Sequence, residues 1–197
     1  TPLFERLAAQ GRGEAFAMAR SALVWLALIL GAICLLGVLF ARPLTLVIAP
    51  GFARDPALVD ATAHLVAICF PYALFICSVA LCMGILNALD HFLAPALAPC
   101  VLNIVLIAAA LGAVAAEADV ARVLAWSVLA AGLLQFALQQ PFLRRAGFAW
   151  RGPMQLNDPG VRQVGRVMLP TVFGAAVYQI TIVAGTLLAS FLAAGSV

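Results

Sequence analysis

Seven polar side chains lie within or at the ends of strongly apolar stretches, and they are the chain's best candidates for binding chemistry. They carry amide, carboxylate or hydroxyl groups and are Asn87, Asp90, Asn103, Gln135, Gln139, Gln179 and Thr186. A polar group in apolar surroundings costs free energy unless it is paired, so such residues point to a function or to helix pairing. They are predicted either to line a hydrated path through the protein or to bond one helix to another.

The spacing of these residues is compatible with both interpretations, a hydrated path and bonding between helices. Asn87 and Asp90 lie three apart, on one face of a helix, and could equally cap that helix at a tight hairpin. Gln135 and Gln139 lie four apart and share a face in the same way. They could line a cavity or bond adjacent helices.

A second polar stripe follows the last apolar stretch. Gln179, Thr186 and Ser190 are separated by steps of seven and four, which places them on one helix face. Hydrogen bonding between helices explains this stripe as readily as a path does. Asn103 stands alone, within a turn or two of the start of its stretch.

The groups needed for catalysis or metal binding are missing from the sequence. It has no paired carboxylates, no Ser/His/Asp set and no phosphate-binding glycine loop, so an enzyme is not expected. Five cysteines form no CxxC pair and no Cys/His cluster, so neither a metal nor another cofactor is expected. These cysteines are predicted to be small packing residues in apolar surroundings.

Five long uncharged stretches must position the polar residues. They span 21–41, 61–89, 92–116, 123–143 and 167–197. About 20 apolar residues of helix cross the hydrocarbon core of a bilayer, and only structures that satisfy their own backbone hydrogen bonds can do so. The chain is therefore predicted to be an all-α, polytopic membrane protein.

The helix boundaries follow from charges, prolines and glycines. Five transmembrane helices are predicted near 15–48, 60–89, 95–116, 121–143 and 167–194. Pro71 should kink the second helix, because proline lacks the N–H that the helix ladder needs. The third helix should begin at Pro95 or Pro99, where a missing donor costs little.

Three rows of small residues at steps of four predict close helix packing. They are Ala80/Gly84/Ala88, Ala108/Gly112/Ala116 and Gly185/Ala189/Ala193. These rows should pack against neighbouring helices, whereas the leucine- and valine-rich faces should meet lipid.

Arginine placement predicts the orientation. All basic residues are arginine, and eight of the eleven lie on the side that holds the N-terminal segment and the 144–166 loop. We call this side one and the opposite side, which holds Arg42, Arg54 and Arg122, side two. Side one is predicted to be cytoplasmic by the positive-inside rule. The net charge of only +3, spread over loops, gives no basic face for a nucleic acid.

Four segments in series resemble the MurJ (MviN) family, bacterial lipid II flippases of the multidrug/oligosaccharidyl-lipid/polysaccharide exporter superfamily. They are IAPGF at 48–52, FPYALFICSVALCMGILNALDHFLAPALAPCVLNI at 70–104, GLLQFALQQPFLRRAGF at 132–148 and VMLPTVFGAAVYQITIVAGTLLASFLAAGS at 167–196. The resemblance extends over essentially the whole chain. It implies a transporter in the bacterial inner membrane that moves the undecaprenyl-pyrophosphate-linked peptidoglycan precursor by alternating access, in cell wall biogenesis and maintenance of cell shape.

The resemblance also implies a larger protein of about fourteen helices, in two six-helix lobes plus two further helices. Residues 1–166 would be helices three to six of the N-terminal lobe with a cytoplasmic linker, and 167–197 the first helix of the C-terminal lobe. The partners would be lipid II or a similar polyprenyl-linked glycan, membrane lipids and the remaining helices. The main pyrophosphate-binding residues of the family would lie outside this chain, which leaves Asn87, Asn103 and Gln179 as secondary candidates. A related exporter of drugs or other lipid-linked oligosaccharides is the alternative.

Overall fold

The computed structural model describes residues 11–152, 159–189 and 191, and the regular structure in this part of the chain is helical. Seven α-helices are α1 (Arg12–Leu39), α2 (Ala41–Ile48), α3 (Pro56–Cys69), α4 (Tyr72–Ala88), α5 (Leu93–Ala115), α6 (Val120–Arg145) and α7 (Pro159–Ala189). A 3-10 helix, Pro50–Arg54, joins α2 to α3. The predicted all-α fold is confirmed.

Four segments of the described chain are long and apolar enough to cross a membrane. They are Arg12–Leu39, Pro56–Ala88, Leu93–Ala115 and Val120–Arg145. Four of the five expected spans are therefore confirmed. The fifth, 167–194, falls mostly in α7, where Tyr178–Ala189 is a shorter apolar helix. Residues 190 and 192–194 lie outside the described residues, so this span stays a prediction.

The prediction of one helix over 15–48 is wrong, because the chain turns at Phe40. Phe40 has φ −103° and ψ 20°, and it separates α1 from α2. Pro43 supplies the physical reason, since its ring would clash with the carbonyl of Leu39 in a continuous helix and it has no N–H to donate. The bend lays α2 against α3, where Arg42 Nε donates to Asp60 Oδ1 at 2.8 Å.

The expected disruption at Pro71 is confirmed. The helix ladder is interrupted at Phe70 and Pro71, and the amides of Ala73 and Leu74 donate instead to carbonyls three residues back, at 3.1 Å each. The Sγ of Cys34 on α1 also donates to the Phe70 carbonyl, at 3.3 Å. The bend in the second span is thus held directly against α1.

The third span begins earlier than the prediction of Pro95 or Pro99. Helix α5 starts at Leu93, which places Pro95 in the first turn and Pro99 inside the helix. Pro95 fits there because amides of a first helical turn have no partner in the helix. Pro99 lacks the donor that would otherwise reach the Pro95 carbonyl. The helix continues through this missing bond.

Helices α4, α5 and α6 end in the same backbone motif. The residue after the cap has a positive φ, 58° at Asp90, 51° at Glu117 and 89° at Gly147. The next amide then donates back to a carbonyl five residues earlier, as His91 does to Leu86 and Phe148 to Leu143, both at 2.9 Å. These Schellman motifs satisfy carbonyls that a helix end leaves free, and they reverse the chain within a few residues.

The reversals produce an antiparallel bundle in which α6 packs against α3, α4 and α5. The main core cluster lies toward side one and joins α1, α4, α5 and α6. Its buried members are Ala15, Phe16, Met18, Ala19, Leu23, Cys82, Ile85, Leu86, Ala94, Leu143 and Phe148. Helix α7 packs mainly against α1 and α2, and Val161 near its start contacts this core.

The three predicted small-residue rows are not packed against other described helices. Ala80, Ala108 and Ala116 are exposed, and a Cβ on Gly84, Gly112 or Gly185 would meet no atom within 4 Å. Ala88, which packs against the core, and Ala189 are half-buried, and Ala193 lies outside the described residues. Packing of these rows against helices outside this chain stays a prediction, because spacing marks a row of small residues but does not determine which helix it faces.

The close helix approaches occur at two other glycines. A Cβ on Gly37 would overlap the ring of Phe70. At Gly132 it would lie 2.8 Å from Tyr72 Cδ2 and 3.0 Å from Phe75 Cβ. Glycine at these positions lets α1 and α6 each approach the bent second span.

Candidate functional site

Asn103 is an exposed amide at the middle of a membrane-spanning helix. It is the eleventh of the 23 residues of α5, about 15 Å from either end at 1.5 Å per residue. Its exposed neighbours Ile104, Ile107 and Leu111 are all large and apolar. Among the described residues no hydrogen-bond partner of its side chain is found. A polar group at this depth needs water or another helix to satisfy it.

Gln179 is exposed in the same manner on α7. Tyr178 and Ile180 beside it are 71% and 67% exposed. Thr186, two turns further on, is half-buried, and its hydroxyl donates to the Ile182 carbonyl in its own helix at 3.0 Å. The Thr186 donor is therefore satisfied locally, whereas no hydrogen-bond partner of the Gln179 amide is found among the described residues.

Asn87 and Asp90 lie at the side-one end of α4, and both are exposed. The reversal after α4 is made by main-chain bonds, with the Asp90 amide donating to the Asn87 carbonyl at 3.2 Å. The structure thus places Asp90 at a left-handed turn position. An aspartate tolerates that conformation better than most residues.

Gln135 and Gln139 are buried in the bundle, with 2% and 0% of their surface exposed. Gln135 Nε2 donates across the helix interface to the Ala98 carbonyl of α5, at 2.8 Å. Gln135 Oε1 and both amide atoms of Gln139 have no hydrogen-bond partner within the described chain. This geometry favours the helix-bonding reading for Gln135, whereas any role of the pair in a substrate path stays a prediction.

Sequence reasoning missed a polar and aromatic corner on side one, built where residues 146–152 fold back over α1. Phe148, 1% exposed, makes edge contacts with Phe16 and Trp150, both at 5.5 Å between ring centroids. Arg20, 6% exposed, donates from Nη1 to the Ala149 carbonyl at 3.0 Å. The signal that could have found this corner is Gly147, two residues after the arginine pair Arg144–Arg145, which marks a helix end followed by a reversal.

A mixed-charge pocket of about 390 Å³ lies on side two. It is lined by Asp60, Ala61, His64, Leu65, Asp119, Ala121 and Arg122. Asp60 pairs with Arg42, and Asp119 Oδ2 lies 3.9 Å from Arg122 Nε. No group of three His, Cys, Asp or Glu side chains in the described residues could hold a metal ion.

A family model described as "Lipid II flippase MurJ" matches residues 1–197. The chain belongs to the MurJ family. The resemblance noted in the sequence is confirmed, and with it a multi-pass protein of the bacterial inner membrane.

Individual MurJ relatives show the same likeness. A "Probable lipid II flippase MurJ" from Rhizobium tropici is 40% identical over 147 residues, which cover 73% of this chain and 28% of the relative. One from Buchnera aphidicola subsp. Acyrthosiphon pisum is 34% identical over 83% of this chain and 32% of its own. The "Lipid II flippase MurJ" of Burkholderia cenocepacia is 31% identical over 95% of this chain and 37% of its own. The chain thus spans about a third of the length of these relatives.

Proposed function

We propose that this chain forms part of a transporter that flips lipid II across the bacterial inner membrane by alternating access. The observation that carries the proposal is the family match over the whole chain, together with four membrane-spanning helices. In this proposal the spans of α1, α3/α4, α5 and α6 are helices three to six of the N-terminal lobe. Helix α7 opens the C-terminal lobe. The protein moves its substrate without changing it chemically.

The exposed amides of Asn87, Asn103 and Gln179 are the residues we assign to the substrate path. A large polar headgroup needs a hydrated passage, and that passage needs polar side chains that project away from the packed helix interfaces. All three amides project in this way from the described bundle. Asn103 supports the assignment most strongly, since an amide among isoleucines at mid-membrane depth would be unfavourable against lipid.

Replacing Asn103 or Gln179 with Leu in the intact transporter should slow lipid II flipping by about two- to tenfold each. This range corresponds to the loss of one hydrogen bond worth about 0.5–1.5 kcal/mol. Flipping is measured in reconstituted vesicles, and membrane insertion should be unchanged. Ile104→Leu and Ile180→Leu, at exposed neighbouring positions, are the matched controls and should flip at the wild-type rate. Wild-type flipping by both amide variants would remove Asn103 and Gln179 from the path.

We further propose that side one, with the start of α1 and the end of α6, faces the cytoplasm. In a cysteine-free version of the intact transporter, Ala53→Cys should react with an impermeant maleimide added outside spheroplasts. Glu14→Cys should react only after the membrane is opened. Both positions are exposed, at opposite ends of the bundle. Labelling of both residues from outside, or of Glu14→Cys alone, contradicts this orientation.

A further inference from the structure

A basic cleft of about 520 Å³ lies on side one, directly after the last turn of α6. It is lined by Arg144, Gly147, Phe148, Ala149, Trp150 and Arg151. Arg144 lies in the last turn of the helix, and the positive φ of Gly147 reverses the chain so that Arg151 lines the same cleft. The cleft is thus formed by one local reversal of the chain.

Contacts on its inner side hold this reversal in place. Trp150 Nε1 donates to Gln140 Oε1 at 2.7 Å, and the Trp150 ring lies 5.9 Å from that of Phe136. The buried Arg20 bonds the Ala149 carbonyl, and a Cβ on Gly152 would lie 2.8 Å from the Arg20 Cζ. The walls of the cleft are therefore fixed to α1 and α6 before any ligand binds, which reduces the ordering cost of binding.

The charge of the cleft is positive. Arg144 and Arg151 are exposed, and within the described residues neither forms an ion pair with a carboxylate. The described residues contain two ion pairs, Arg42–Asp60 and Asp119–Arg122. Both lie on side two, at the opposite end of the bundle from the cleft. A guanidinium group presents several N–H donors in a plane that matches the oxygens of a phosphate.

The position of the cleft selects the kind of phosphate. It lies where a membrane-spanning helix ends, and Trp150, 42% exposed, is the residue type that sits at the level of lipid headgroups. We propose that this cleft binds the phosphate headgroup of an anionic glycerophospholipid, with Arg144 and Arg151 on the phosphate and Trp150 against the glycerol and upper acyl region. This site is separate from the substrate path, and its occupancy does not depend on whether the protein flips lipid II.

Native mass spectrometry of the intact transporter, titrated with phosphatidylglycerol or phosphatidylcholine, tests the proposal. Arg144→Gln and Arg151→Gln should each raise the apparent Kd for phosphatidylglycerol about fivefold, and the double variant about 25-fold. These values follow from about 1 kcal/mol per arginine near an anionic lipid. Arg145→Gln is the matched control, because Arg145 is exposed at the same helix end but does not line the cleft. Its Kd should change by less than about twofold on the same scale.

A second measurement reports on the cleft itself. The fluorescence of Trp150 is identified as the signal that is lost in the Trp150→Phe variant. Brominated phosphatidylglycerol should quench this Trp150 fluorescence, and the quenching should disappear in the Arg144→Gln/Arg151→Gln variant. Unchanged phosphatidylglycerol binding by the double variant would overturn the proposal. So would equal weakening of phosphatidylcholine binding, or displacement of phosphatidylglycerol by inorganic phosphate alone, which would indicate a site for soluble phosphate. Because neither measurement needs transport, a failed flipping assay leaves the result interpretable.

Discussion

Replacing Gly37 with Val should destabilise the intact transporter by about 1–3 kcal/mol, the usual cost of overpacking a filled interior. Gly37 is buried, and any Cβ added there would overlap the ring of Phe70. The backbone of Phe70 is held against α1 because its carbonyl accepts the Cys34 thiol at 3.3 Å, so the ring must rotate out of its present position to admit the valine. The loss is measured as a lower Tm in detergent, and folded yield should fall with it.

Gly31→Val is the matched control for this experiment. Gly31 lies on the same helix, and a Cβ there would meet no atom within 4 Å. Replacing an open helical glycine should be neutral or slightly stabilising, because glycine is the weaker helix former. Adding Phe70→Ala to Gly37→Val should cost less than the two changes summed, since the truncated ring makes room for the valine. Equal melting temperatures for Gly37→Val and Gly31→Val would show that α1 does not pack closely on the bend.

The sequence predicted well the features that depend on composition along one segment. The confirmed spans need only length and apolarity, and the bend at Pro71 needs only a missing donor. The break at Phe40 has the same kind of cause, since Pro43 was visible in the sequence. It was missed because apolar residues resume after Arg42 and Pro43, at Leu44 and 46–49, and hide the end of the first helix.

Features that depend on which face of a helix points inward could not be predicted in this way. Gly37, Ala41 and Thr45 have the same four-residue spacing as the three rows singled out, yet this row is buried and most of the others are exposed. With apolar residues on every face of a membrane helix, periodicity no longer separates inside from outside. Only the packing of whole helices decides between such rows.

The candidate site shows the same limit. Seven polar residues could be selected from the sequence because each is unusual in its surroundings. The structure then separates them into exposed amides, such as Asn103 and Gln179, and buried ones, Gln135 and Gln139. The corner around Arg20 and Phe148 was not predicted, because it is formed by residues about 130 positions apart in the chain.

Gln135 and Gln139 should respond to the same substitution to different extents. Gln135→Met removes the unpartnered Oε1 but also the 2.8 Å bond to the Ala98 carbonyl, so its free energy of unfolding should lie below that of Gln139→Met by about 0.5–1.5 kcal/mol. Gln139→Met removes an amide that is fully buried and has no partner in the described chain. Because an unsatisfied buried polar group costs about 1–3 kcal/mol, this variant should be more stable than the wild type by an amount of that order. Methionine keeps nearly the same length, so neither change creates a large cavity.

Two measurements on the intact transporter test the Gln139 prediction. They are the Tm of each variant and its rate of lipid II flipping. A higher Tm with wild-type flipping would show that Gln139 is a destabilising packing residue that transport does not use. A higher Tm with slower flipping would show that the protein keeps an unfavourable buried amide because transport uses it, the trade-off expected where function needs a destabilised group. A lower Tm would contradict the prediction, since it would mean that the Gln139 amide is hydrogen-bonded in the intact protein. The melting shift and the flipping rate together therefore decide whether Gln139 belongs with the packing residues or with Asn103 and Gln179.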